Sequence, residues 1–267
     1  MSSVGTMLRD WRQRRRLSQL DLALGAGVSA RHISFVETGR SRPSAEMVLH
    51  LADRLDVPLR ERNRLLLAAG YAPVFAQNDL DDPQMGPARA ALDAILRGHE
   101  PNPALAVDRH WGMVAANRAL PLLLEGVDPA LLEPPVNVLR VALHPDGLAP
   151  RILNLAEWRA HLLERLGRQA VSSGDPALAT LYDELAAYPG GRSPAAHAPE
   201  PSELAVTLRI RAAGADLAFI STITSFGTAT EVTLSELAIE SFFPADAATA
   251  EVLRRAAAEA DRLIPAS

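Results

Sequence analysis

The chain has 267 residues, 48% of them apolar and 22% charged, with a formal net charge of −5. This is the balance of an ordinary globular protein with a real core, in about two domains of roughly 100–200 residues, and it excludes a wholly disordered chain. No stretch reaches the roughly 18 uninterrupted apolar residues of a membrane span, and without Cys there are no disulfides or thiolate metal sites.

The first residues, MSSVGTMLRDWRQRRR, carry no apolar run of signal-peptide type, so a cytoplasmic protein with no membrane partner is expected. The charge is uneven along the chain. Residues 1–70 hold 12 Arg against 7 Asp and Glu, whereas the remainder has a net charge of −10, and no Lys occurs anywhere. A basic head on an acidic body suggests a nucleic-acid-binding unit joined to a body with another task.

Residues 4–69 read as five short helices. Val4, Leu8, Trp11 and Arg15 recur at spacings of four and three, on one face of the first. Ser18, with Asp21 three residues on, predicts an acidic capping box for the second. Ser29 is a good N-cap for the third, which Gly39 ends, and Pro43-Ser44 opens the fourth. A fifth runs from about Leu59 to Ala69. Residues 73–87, rich in Pro, Asp and Gln, read as a linker between a domain at 1–72 and another at 88–267. In the second domain a helix is expected from Pro87 to about Gly98. Two apolar runs around Arg109-His110 predict a β-hairpin over 104–115. Helices are expected at 117–124, 137–143, 154–170 and 176–188. The run PGGRSPAAHAPEP at 189–201 suits neither regular state. Residues 204–211 alternate in polarity like a strand; 215–224 and 237–243 are further strands, and 247–263 is a closing helix.

The segment from Gln19 to Val36 meets the demands of a helix-turn-helix position by position. The close helix crossing needs a small residue, Ala23, and the turn needs one that accepts positive φ, Gly27. Ile33 and Val36 hold the second helix on the first, with Leu22 and Val28 filling the remaining inward positions.

Residues 4–70 resemble the Cro/repressor-like, or XRE, family of bacterial regulators in LSQLDLA, GVSARHISFVETGRSRPS and MVLHLADRLDVP. The resemblance implies a third helix lying in the major groove of a double-stranded operator. Gln19 would then fix the motif against a phosphate, Ser29 and His32 would sit near phosphates, and Ala30, Arg31 and Phe35 would face base edges. Arg40 and Arg42 would reach the backbone. Arg12 and Glu37 match a family ion pair tying the first helix to the third. Phe35 departs from the usual polar residue.

Further on, DRHWGMVAANRA, NVLRVALHPDGL and Asn154 resemble an MmyB-like ligand-binding domain, although SFGTATEVTLSELAIESFFP (225–244) departs from the pattern. The implied fold class is an all-α helix-turn-helix headpiece of five helices, followed by an α+β PAS-like domain with an antiparallel sheet and flanking helices around an apolar pocket. The implied ligand is a small apolar molecule such as a fatty acid, and a homodimer is expected. The pocket would be lined by Trp111, Met113, Leu120, Leu124, Leu139, Leu143, Trp158, Leu162, Ile220 and Phe226. One of Asn117, Asn137, Arg140 or His144 would receive a headgroup.

Other constellations read more plainly. Glu157, His161 and Glu164 share one helix face and could edge a metal site, but a solvated stripe is the better reading; His144-Pro-Asp146 and Asp108-Arg-His110 suit turns better than acid–base chemistry. No metal site, catalytic residue or cofactor is expected, although one of the seven His could hold haem in such a pocket. Two other functional classes compete with a ligand-sensing regulator: a headpiece fused to a catalytic domain, and a DNA-binding adaptor without ligand. A polar cleft with convergent carboxylates would favour the first of these, a solidly filled core the second.

Overall fold

The computed structural model describes residues 3–190 and 206–263, so the beginning of the strand expected at 204–211 and most of the irregular run at 189–201 lie outside the described residues. It divides into two compact units: Met1–Asp82 with Gly227–Ser235, and Pro83–Phe226 with Glu236–Ser267.

The first unit contains α1 (Val4–Arg14), α2 (Gln19–Ala26), α3 (Ala30–Glu37), α4 (Ala45–Arg54) and α5 (Leu59–Ala68). Ser3, Ser18, Ser29 and Ser44 each accept a hydrogen bond from the backbone N–H three residues on, which satisfies an orphan donor at the start of α1 to α4. Both halves of the Ser18–Asp21 capping box are present, and Gly27 ends α2 at φ +65°. Leu8, Trp11, Leu22, Ala23, Ile33, Val36, Leu51, Leu55 and Leu65 form the core. At Gly5 the backbone of α1 meets the end of α3, where a Cβ would stand 2.3 Å from the Val36 carbonyl oxygen.

The second unit carries α6 (Gly86–Gly98), β1 (Ala104–Val107), β2 (Met113–Ala116), α7 (Pro121–Leu124), α8 (Val138–Leu143), α9 (Leu155–Ser173), α10 (Pro176–Ala187), β3 (Thr207–Ala212) and β4 (Ala215–Ser225). Then follow α11 (Val232–Ser235), which belongs to the first unit, and β5 (Ala238–Pro244) and α12 (Ala247–Leu263). The strands form one antiparallel sheet in the order β2-β1-β5-β4-β3. Because strand side chains alternate, Leu105, Leu208, Ile210, Leu217, Phe219 and Phe242 share one sheet face and join Trp158, Leu162 and Leu166 of α9 in a single core.

Three boundaries differ from those the sequence predicts. The helix expected at 117–124 shrinks to α7, because Asn117 turns its side chain onto backbone: it accepts from Ala104 N–H at 3.1 Å and donates to the carbonyls of Leu96 and Asn102. Pro121 then starts the helix at a position where its missing N–H costs nothing. The expected linker is anchored at its start, where Asn63 of α5 accepts from Val74 and Phe75 N–H and donates to the Phe75 carbonyl. Finally, the β4–β5 connection groups with the first unit. Glu231 accepts from Asn78 N–H at 2.8 Å, Val232 N–H donates to the Ala76 carbonyl at 2.9 Å, and Val232 is 0% exposed.

Candidate DNA interface and ligand cavity

The headpiece is organised around one buried carboxylate. Glu37, 3% exposed, receives Arg12 Nε on Oε1 at 2.6 Å and Arg12 Nη2 on Oε2 at 2.9 Å. Gln19 Nε2 donates to the same Oε2 at 2.9 Å, and Arg9 Nη2 reaches the Glu37 backbone carbonyl. Burial opposes ionisation of Glu37, but the hydrogen bonds from Arg12 and Gln19 and the charges of Arg12 and Arg9 outweigh it, holding the carboxyl below its ordinary range. This network fastens α1 and α2 to the end of α3. One N–H of the Gln19 amide is thereby held in this internal bond.

Around α3, Arg31 and Arg40 are exposed, and both guanidiniums lie over the Phe35 ring, at 5.1 and 5.9 Å from its centroid. Phe35 therefore holds two cations in place. Ser29 is exposed and spends its hydroxyl on the His32 N–H; Ala30 and His32 are half-buried, and His32 Nε2 is buried without a partner. Arg42 is placed differently from the expectation. Its guanidinium donates to the Ala69 carbonyl, at 2.8 Å from Nη2, and lies over Tyr71, so it closes the end of α5.

In the second unit a cavity opens between the sheet and helices α7, α8 and α9. It holds about 680 Å³ of unfilled space, counting solvent at its mouth, of which about 60 Å³ can take the centre of a water molecule. It is therefore narrow in this conformation. Of the expected pocket residues, Met113, Leu120, Leu124, Leu139, Trp158 and Leu162 line it, with Leu105, Ile152, Leu208 and Phe242 among the further apolar residues of its wall.

The other expected residues sit elsewhere, each for a local reason. Leu143 is buried in the core away from the lining. Ile220 is offset by one residue from Phe219, so it points to the opposite sheet face, beside Phe243. Phe226 follows the last residue of β4 and is half-buried. Asn117 is the backbone clamp described above. Asn137 caps α8 through the Arg140 N–H and donates to the His110 carbonyl. Arg140 pairs with Glu184 at 2.7 and 2.8 Å, and His144 packs edge-on against Tyr188. None of these four polar residues lines the cavity. Trp111, held at φ +67°, donates its indole N–H to Gln169 at 2.8 Å and stands behind the wall.

Two charged residues in that wall, Arg165 and Glu240, were not legible as a site. Glu240, 5% exposed, stands on the inner face of the central strand β5, opposite Leu105 of β1. Burial pushes its carboxyl above the usual range, against the pull of Arg165. Arg165 Nη1 approaches Glu240 Oε1 at only 3.5 Å, its guanidinium lies 4.4 Å from the Trp111 centroid, and Nη2 is buried with no hydrogen-bond partner. The signals were a carboxylate at an inward strand position in AIESFFP, and an Arg seven residues after Trp158, on the inward helix stripe.

The remaining constellations have structural roles. Asp108 accepts from His110 and Gly112 N–H and shapes the hairpin turn. Glu157 accepts from Asn154, Glu164 pairs with Arg168, and His161 stacks on Trp158. Among the described residues no group of three His, Cys, Asp or Glu could hold a metal ion, and no helix is long and apolar enough to cross a membrane.

Residues 88–256 match the family model of the MmyB-like transcription regulator ligand binding domain. The chain belongs to this family of MmyB-like regulators. Residues 8–62 match a helix-turn-helix model, so the MmyB-like regulator joins a DNA-binding domain of XRE type to a ligand-binding one. It is a ligand-sensing transcription regulator, and both matched families are those of transcription regulators. No curated protein matches the chain.

Proposed function

We propose that this MmyB-like regulator reads operator DNA as a cytoplasmic homodimer through α3, and that its cavity senses an apolar amphiphile, in the simplest case a fatty acid. The observation that carries the reading is the apolar cavity itself, walled by Leu, Val, Ile, Trp and Phe beneath α7, α8 and α9. An acyl chain gains about 0.8 kcal/mol per buried CH₂, so its affinity should rise with the number of methylenes placed between these walls. A recognition helix of eight residues spans few base pairs, and a pair of them on half-sites about one helical turn apart is the arrangement that gives such helices an operator of useful length.

Native mass spectrometry of the purified protein, with thermal melts against a fatty-acid series, tests the sensor. A co-purified lipid, or a melting temperature that rises with chain length, is expected; no shift with any acid would overturn it. For DNA, Arg31→Ala should flatten preference at one operator position, where a bidentate Arg–guanine contact discriminates by roughly 1–3 kcal/mol. Arg40→Ala should weaken all sequences alike and reduce the salt slope by about one. Identical salt titrations and sequence preferences for the two variants would refute this division of roles.

A further inference from the structure

The side of α3 that faces away from the headpiece core carries an aromatic ring where polar chemistry is the rule. Ile33, Val36 and Glu37 are buried, so Arg31, Ser34, Phe35 and Thr38, spaced by three and four residues, share the opposite side of the helix. Thr38 donates its hydroxyl to the Ser34 carbonyl at 2.7 Å. Arg31 is exposed and has a planar fork of donors to offer; Phe35 has neither donor nor acceptor. The ring is only half-buried, and its contacts on this side are charges, the guanidiniums of Arg31 and Arg40 at 5.1 and 5.9 Å from its centroid.

In a helix-turn-helix this is the helix that enters the major groove. A phenyl ring can take no part in the donor and acceptor code written there. The groove offers one apolar group, the C5-methyl of thymine; every other feature that marks a base edge is a donor or an acceptor. Arg31 on the same stripe has the opposite preference, since its fork matches guanine O6 and N7. One helical turn, about 5.4 Å, separates the two residues, and bases follow one another at about 3.4 Å along a strand. Ring and guanidinium therefore address base pairs one or two steps apart.

We propose that Phe35 is a specificity-determining residue that reads a thymine C5-methyl, one or two base pairs from the guanine read by Arg31. The proposal rests on the reading of operator DNA through α3 and adds to it the base that the ring selects. The cation–π contact holds ring and guanidinium as one unit, so the two bases are recognised together, at a fixed spacing. Burial against the methyl also removes from water the part of the ring that the headpiece leaves uncovered.

The test begins with duplexes selected by the full-length protein from a random pool. Each thymine of the selected sequence is then replaced by deoxyuridine, which removes the C5-methyl and keeps the pairing edge, and binding is measured by anisotropy. One thymine in each half-site is expected to be sensitive, with Kd raised about fourfold, the worth of one buried methyl group. It should lie one or two base pairs from the guanine whose preference Arg31→Ala flattens. Phe35→Ala should bind the thymine and deoxyuridine duplexes alike. Absence of any deoxyuridine-sensitive thymine in the unaltered protein overturns the proposal while leaving DNA reading through α3 intact, and it needs no variant to fold. A sensitive thymine farther from that guanine overturns it too. A penalty that survives in Phe35→Ala assigns the methyl contact to another group, such as the side chain of Ala30, and refutes the role of the ring. Recovery of no preferred sequence from the pool overturns operator reading itself, and the proposal with it.

Discussion

Glu37 and Glu240 are both nearly buried, at 3% and 5% exposure, yet their surroundings drive their titration in opposite directions. Glu37 is held low by Arg12 and Gln19, so the stability it gives the headpiece is present above the unfolded carboxylate pKa of about 4.3 and is lost as pH falls through the depressed folded value. Glu240 is held high, so its contribution is full below the unfolded value and is lost as pH rises through the raised folded one. Hydrogen exchange on the whole chain across a pH series should then show α1–α3 losing protection first on the acid side. The sheet should loosen on the alkaline side of Glu240, and Glu240→Gln should flatten that second trend. Parallel pH profiles for both regions would contradict this assignment. Glu37→Ala strands the Arg12 cation in the core at a cost of about 3–5 kcal/mol; exchange protection of α1–α3 and operator binding should disappear while β1–β5 stay protected.

At the scale of elements, the α1–α3 crossing depends on Gly5, which the sequence reading passed over. A Cβ there would stand 2.3 Å from the Val36 carbonyl oxygen and 2.8 Å from that of Glu37, both backbone atoms that cannot swing aside. Gly5→Ala should destabilise the headpiece by about 1–3 kcal/mol or more through overpacking, despite the better helix propensity of Ala; a thermal melt in which the variant equals or exceeds the parent would refute it. Gly27 was legible where Gly5 was not, because a positive-φ turn between two periodic segments leaves a local mark and a tertiary close approach leaves none. The same distinction explains the rest. The serine caps, the hairpin expected over 104–115 and the alternation of Leu208 and Ile210 are local patterns, and each has its counterpart in the elements of the structure. The lining by Met113, Leu120, Leu124, Leu139, Trp158 and Leu162 was legible through the family resemblance, which supplies the pocket that apolar periodicity alone does not. Of the polar residues expected to receive a headgroup, Asn117, Asn137 and Arg140 are occupied by backbone or by Glu184. Arg165 and Glu240 come together across 75 residues, a distance over which no periodicity speaks.

For the whole molecule, the connection between β4 and β5 carries the strongest consequence. The chain leaves the ligand-binding sheet at Phe226, packs α11 within the first unit through Glu231, Val232 and Thr233 against Ala76 and Asn78, and returns to enter β5 at Ala238, two residues before Glu240. It lies within the same 225–244 segment that departs from the family pattern. A ligand acts on DNA affinity only as far as it prefers one state of the protein over another, and the effect is reciprocal: if an acid changes operator affinity by a given factor, the operator must change acid affinity by the same factor. Anisotropy titrations of operator with and without ligand, and of ligand with and without operator, should therefore return one coupling factor, of about five to 150 if typical of such proteins. Glu231→Ala removes the acceptor of the Asn78 and Leu234 N–H groups while leaving α3 and the cavity wall untouched. Each affinity measured alone should stay within about threefold, and the coupling factor should fall toward one. An undiminished factor would mean that the Glu231 carboxylate carries none of the communication, since the Val232–Ala76 and Thr233–Asn78 hydrogen bonds remain in the variant.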